Sequence, residues 1–316
     1  MKQLQVGAGR SFEILEVPIP MPGPGEALLK IEAVTTCPQW DLHLRHNEPM
    51  FAGHQFHYPY TPGQPGHEAT GTVEAVGAGV AELSVGDRVS AWRDAGHNVP
   101  GCYAQYVVHK AESLIHVPNG HPAEALAPVE LAMCVGASFL MLRQMQLIAG
   151  RRFGVMGLGP AGLIALQMAR AEGATEVIGF DLSAQRREKG LELGLTEAWD
   201  SREVAAAQIP LLDTSIDCVG AKATVEWLLD RTRENLALFG VQREDYTFAV
   251  RHYTKRLLGY SGHSRAAAEY AVGLIERGAL NLAPLITHNL PLEEYDEAID
   301  LLERQEAIKV CFWPWR

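Results

Sequence analysis

The chain has 316 residues, 47% of them hydrophobic and 21% charged, and its 27 basic against 38 acidic side chains give a formal charge of −11. That length exceeds the size at which a single core keeps growing, so two domains are expected, and the acidic balance repels a polyanion, which argues against nucleic acid as a partner. The absence of an uninterrupted run of eighteen apolar residues and of a leader pattern predicts no membrane span and a cytoplasmic location, while cysteines at 37, 102, 134, 218 and 311, without a CxxC pair, read as reduced thiols.

Up to about residue 120, short apolar strands are broken by Pro and Gly: EALLKIEAV, GTVEAVG, GDRVSAW, CYAQYVVHK and SLIHVP. They predict a compact β-barrel or irregular sheet, a first domain over residues 1–121. The stretch from Ala123 to Ala149, rich in Leu, Ala and Met, predicts one or two connecting helices. After it, apolar strands alternate with helical segments: RFGVMG with PAGLIALQMARAEG, EVIGFD with SAQRREKGLELG, SIDCVG with KATVEWLLDRTRE, and NLALFG and RLLGYSG with RAAAEYAVGLIERG. This rhythm makes a doubly wound parallel sheet covered on both faces, an α/β domain over residues 122–282. The tail from 283 to 316 offers a helix and a final strand that return to the first domain.

The strand RFGVM leads into Gly157-Leu158-Gly159-Pro160-Ala161-Gly162 and then an apolar-periodic helix. In such a GxGxxG the first glycine permits the tight turn, the second lets a pyrophosphate approach the backbone, and the third lets helix and strand pack closely. The phosphate sits at the positive end of the following helix. Asp181 closes the next strand, nineteen residues past Gly162, where a carboxylate accepts hydrogen bonds from ribose hydroxyls and repels a 2′-phosphate. NAD is therefore favoured over NADP. Arg186 and Arg187 follow closely; they either soften that preference or form a solvated helix face.

A catalytic zinc takes three protein ligands from Cys, His and carboxylate and keeps one position open. Those types occur at three places: Cys37 after the strand LLKIEAVTT, His67 and Glu68 in PGHEATGTVEAVG, and Glu130 inside the apolar PVELAMC. A carboxylate among Leu, Ala, Met and Val is costly unless it is paired or coordinated.

A cysteine near a short Asp-x-His, then GHEATGTVEAVGAGV with GDRV, a Glu-Leu-Ala step, GLGPAG and FDLS follow one another in this chain. In that order they resemble the zinc-dependent medium-chain dehydrogenase/reductases, the alcohol, polyol and threonine dehydrogenase group. The resemblance implies a GroES-like catalytic domain, a Rossmann domain and a bound zinc. It implies Cys37 and His67 as ligands, Glu68 as a flexible or water-mediated ligand and Glu130 as the third ligand, with Cys134 as the alternative if Glu130 faces solvent. Asp41 would orient the ligand imidazole, although it follows the cysteine at the fourth position where the family places it at the third. Gln39 stands where many members carry a proton-relaying hydroxyl, so the relay would pass through His43 or water. His54 and His57 would line the substrate pocket, or stand as loop histidines without a duty. Only Cys102 remains in the region of the family's four-cysteine lobe, so one catalytic zinc per chain and no structural zinc are expected. The implied function is NAD-linked oxidation of a secondary alcohol or polyol by a homodimer or homotetramer. A zinc-free quinone or enoyl reductase of the same fold, and a non-catalytic NAD-binding sensor, are the alternatives.

Overall fold

The computed structural model describes residues 1–9, 11–51, 53–203 and 209–316. The chain divides into two compact units, Met1–Leu131 with Leu282–Arg316, and Ala132–Asn281. In chain order the first part carries β1 (Lys2–Val6), β2 (Phe12–Glu16), β3 (Glu26–Thr35), α1 (Pro38–His46), β4 (Glu68–Val76), β5 (Arg88–Ala91), β6 (Tyr106–Lys110), β7 (Leu114–His116) and α2 (Val129–Gln144). There follow β8 (Arg152–Met156), α3 (Pro160–Ala171), β9 (Glu176–Phe180), α4 (Ala184–Glu192), β10 (Glu197–Trp199) and β11 (Leu212–Asp217). The rest is α5 (Lys222–Arg231), β12 (Thr232–Leu238), β13 (Arg256–Leu258), α6 (Arg265–Glu276), β14 (Ile286–Leu290), α7 (Tyr295–Glu303) and β15 (Lys309–Phe312).

The first unit is a mostly antiparallel sheet in the order β14-β15-β3-β4-β5-β7, with β6 also paired to β3. Leu29, Ile31, Val73, Val107, Leu292 and Phe312 meet in its core, each almost wholly removed from water. The tail joins this sheet through Cys311 and Phe312, which pair with Thr35 and Val34 of β3. On the other side of β3, Thr35 pairs with Glu68 at the start of β4. Three strand ends thus lie side by side. The β1–β2 hairpin, α1 and β14 were not legible as elements in the sequence pattern, although Pro38 at the first turn of α1 is a helix-start signal.

Two ionic groups are buried where those strands end. Lys309 Nζ lies 2.6 Å from each oxygen of Glu68, and both side chains are fully removed from solvent. The ammonium also donates to the Thr36 carbonyl at 2.6 Å, and Thr35 Oγ1 donates to Glu68 at 3.2 Å. An ammonium and a carboxylate out of water are tolerable only with this degree of mutual satisfaction.

The second unit is a six-stranded sheet in the order β10-β9-β8-β11-β12-β13, parallel throughout. This is the doubly wound order, with its switch point between β8 and β11. Strands β8 and β9 are buried from their second residue onward, as expected where helices cover both faces. Phe180, Leu212, Val225, Leu228 and Leu236 form part of the core. The segment Ala123–Gln144 is long and apolar enough to cross a bilayer by length and composition, but most of it is buried within the protein and it carries Glu130, which fits a core helix.

Two consequences are measurable by urea denaturation. Lys309→Met should cost roughly 3–5 kcal/mol by stranding the Glu68 charge, and adding Glu68→Gln should recover most of it. Gly162→Ala should cost roughly 1–3 kcal/mol, because its Cβ would lie 1.7 Å from the Gly157 carbonyl oxygen.

Candidate functional site

Cys37 leaves β3 and becomes the N-cap of α1. Its backbone N–H donates to Asp41 Oδ2 at 2.8 Å, while Asp41 N–H returns the helical bond to the Cys37 carbonyl at 2.9 Å. His67 arrives from the other side, one residue before β4. The preceding Gly66 has φ +77°, and a Cβ there would meet the Pro62 carbonyl oxygen at 2.5 Å and the Tyr103 ring at 3.2 Å. Only glycine suits that left-handed, crowded corner, so the turn and the adjoining strand aim His67.

These elements bring together Cys37 Sγ, one nitrogen of His67 and one oxygen of Glu68, all within 4.8 Å of one another. Glu130, on the first turn of α2, places Oε2 3.5 Å from His67 Nε2 and is only 5% exposed. Glu130 thus faces a buried imidazole and not solvent, the condition under which Cys134 would have replaced it. Cys134 belongs to the second unit, where its sulfur lies within 4.8 Å of a His263 nitrogen.

The electrostatics are those of a site built for a cation. Burial, and next the Glu68 charge, push the Cys37 thiol well above its usual range, with only the Lys309 ammonium pulling it down. Burial also raises Glu68, opposed by Lys309 and then His67. Among the described residues, buried His67 Nδ1 has no hydrogen-bond partner. With the thiol ionised, a thiolate, two carboxylates and one ammonium leave two negative charges, which a divalent ion balances. The donor set therefore fits zinc.

The geometry bears on three expectations. Asp41 does not orient His67: its oxygens accept from Cys37 N–H, from Tyr103 Oη at 2.9 Å and from Tyr295 Oη at 3.1 Å. Lying one full turn after Cys37, it secures the thiol-bearing backbone, and burial pushes its own pKa up to about 7. Glu68 stands in the same cluster as Cys37 and His67, with both its oxygens also held by Lys309. His43 bonds through Nδ1 to the Glu48 carbonyl at 3.1 Å, a local contact after α1, and no hydrogen bond joins it to Cys37 or His67. Lys309, Tyr103 and Tyr295 were missed from sequence; the only signal was a lysine inside the apolar strand IKVCF.

In the second unit, Gly157 has φ +85° and donates its N–H to the Phe180 carbonyl at 2.7 Å. A Cβ at Gly157 would press on Val219, and at Gly159, the N-cap of α3, it would meet only an Arg186 nitrogen at 3.9 Å. That leaves open space above the Gly159 backbone, with Pro160 and Ala161 opening the helix behind it. Asp181 is fixed by Leu158 N–H at 2.7 Å and Ser183 N–H at 2.8 Å, so its remaining lone pairs are aimed beside the glycine turn. Of the two arginines, Arg187 is committed to the carbonyls of Asp181 and Leu182, whereas Arg186 reaches over the loop. The loop, the helix start and the acid fit a dinucleotide.

The family model for the alcohol dehydrogenase GroES-like domain matches residues 23–119, and that for zinc-binding dehydrogenases matches residues 160–277. Sorbitol dehydrogenase of Halalkalibacterium halodurans is 26% identical, over 98% of this chain and 97% of its own length. Sorbitol dehydrogenase of Homo sapiens is 29% identical, over 93% and 90%. Galactitol-1-phosphate dehydrogenase from Escherichia coli has the same fold, with a TM-score of 0.85 at 23% identity over 99% of this chain and 100% of that one. So has 2R,3R-butanediol dehydrogenase from Bacillus subtilis, at 0.85 and 22% over 99% of each. With a GroES-like unit that clusters a thiol, an imidazole and carboxylates, and a Rossmann unit with an open glycine turn, the chain belongs to the zinc-dependent medium-chain dehydrogenase family.

Proposed function

We infer that this protein is a zinc-dependent, NAD-linked dehydrogenase of secondary alcohols or polyols. The observation that carries the reading is the clustering of Cys37, His67 and Glu68 within 4.8 Å in the GroES-like unit, with Glu130 3.5 Å from His67. The sorbitol dehydrogenase relatives support the substrate class. They favour an alcohol oxidoreductase over a zinc-free quinone or enoyl reductase, which has no use for a buried thiol–imidazole–carboxylate set, and over a sensor without chemistry.

Cys37, His67 and Glu130 would hold the zinc. Bound there, the ion supplies Lewis acidity that lowers the pKa of an alcohol, and bound NAD supplies the hydride acceptor. The remaining work belongs to the chain. Asp41 and the hydroxyls of Tyr103 and Tyr295 fix the backbone of Cys37. Lys309 neutralises the Glu68 carboxylate beside those residues, which would limit its competition with substrate for the ion. Burial of His67 and Glu130 excludes water and strengthens the electrostatics around the reacting oxygen. At the other site, the N-terminus of α3 would hold the pyrophosphate and Asp181 the adenosine ribose.

Cys37→Ala should abolish zinc retention after dialysis, read by elemental analysis, and alcohol turnover with it, while ADP-ribose binding by calorimetry stays close to that of the parent. Stoichiometric zinc in that variant would count against the assignment. Asp181→Ala should lower the NAD to NADP preference in kcat/KM by on the order of tenfold, the value of one or two lost hydrogen bonds; an unchanged ratio would place the carboxylate away from the ribose.

A further inference from the structure

Beside the segments that carry Cys37 and His67 lies a cluster of rings that includes His54. Trp40 sits on the first turn of α1, three residues after Cys37, so the two share a helix face. Its ring lies 5.6 Å from that of His54 and 5.1 Å from that of His97. The two imidazoles are 5.1 Å apart, centre to centre. Phe56 packs edge-on to His54 at 4.6 Å, and Phe51 covers it at 5.0 Å. The loop carrying His97 is laid against the segment that delivers His67. Asn98 Oδ1 accepts from Thr61 N–H at 2.8 Å, Cys102 N–H donates to the Gly66 carbonyl at 2.7 Å, and a Cβ at Gly63 would lie 2.6 Å from the Gly96 carbonyl oxygen.

The hydrogen bonds decide what the imidazoles offer. His54 Nδ1 accepts from Met50 N–H at 3.3 Å, so the neutral ring carries its proton on Nε2. Burial, and then the neighbouring His97, lower the pKa of His54 and favour that neutral form. Tyr60 donates its hydroxyl proton to the Gln64 carbonyl at 2.8 Å, which leaves its oxygen to accept from His97 Nδ1 at 3.5 Å. The His97 proton is then on Nδ1, and Nε2 is an acceptor. Among the described residues, neither Nε2 has a hydrogen-bond partner. One donor and one acceptor on an aromatic floor match a single hydroxyl, which both accepts and donates.

We propose that His54 and His97, over Trp40, form a hydroxyl-binding subsite that holds a second hydroxyl of a linear polyol, away from the one that reacts. This rests on the alcohol dehydrogenase reading and narrows its substrate class. The pair acts as a specificity device and takes no part in proton or hydride transfer.

The test uses zinc-loaded protein with ¹³C-labelled histidine and sorbitol as the probe. Imidazole resonances of His54 and His97, assigned by their loss in His54→Phe and His97→Phe, should shift on titration with sorbitol and stay still with 2-butanol at equal concentration. Steady-state kinetics on sorbitol should show kcat/KM down about tenfold in each variant, carried by KM more than by kcat. His54→Gln, which keeps an N–H at that end, should restore KM to within about threefold. Resonances indifferent to sorbitol, or a KM that neither variant moves, would overturn the proposal. If sorbitol shifts both resonances while no alcohol is oxidised, the subsite stands and the dehydrogenase reading falls. If sorbitol is oxidised with an unaltered KM in both variants, the opposite holds.

Discussion

The first unit is organised around one electrostatic constraint, the complete burial of Glu68 opposite Lys309. A carboxylate at the first residue of a central strand has no route to water, and the neighbouring Glu130 carboxylate works against its charge. The ammonium answers this from the other flank of β3, satisfying both oxygens and the Thr36 carbonyl at once. Such a pair contributes little net stability compared with apolar residues of the same size. What it secures is registry: β15, β3 and β4 are held so that the thiol and the imidazole emerge at the same level.

The supporting layer around Cys37 follows the same logic with different atoms. Asp41 sits one residue later than the family pattern places it, and on a helix one residue is a rotation of 100°. The carboxylate consequently turns toward Tyr103 and Tyr295 and loses the imidazole. His67 keeps its position through the Gly66 corner and the β4 pairing instead of a carboxylate partner. Orientation of this imidazole rests on backbone geometry and not on a side-chain hydrogen bond.

How legible each part was depends on how local its determinants are. The second unit could be read nearly element by element, because apolar strands such as β8 and β9 alternate with helical segments, and the glycine turn and Asp181 are separated by a single βαβ step. Among the site groups, Cys37, His67 and Glu130 were nameable because thiol, imidazole and a carboxylate in an apolar run are chemically conspicuous. Lys309 and Tyr295 were not: they meet residues more than 240 positions earlier, and nothing in a short window of sequence announces that pairing. The β1–β2 hairpin escaped notice because its strands are five residues each, with mostly half-exposed side chains. His97 was invisible for another reason, since its neighbours come from α1 and the loop after it.

The split of the first unit into Met1–Leu131 and Leu282–Arg316 has a bearing on biosynthesis. A ribosome delivers Glu68 long before Lys309, with the entire nucleotide-binding unit made in between. Until the last strand leaves the exit tunnel, the nascent sheet lacks both its edge and the counter-charge for its most secluded acid. The parallel-sheet unit, by contrast, is contiguous and has all its partners in hand earlier. The split unit therefore cannot be complete until β15 is made, whereas the contiguous unit has every strand of its sheet by Leu258.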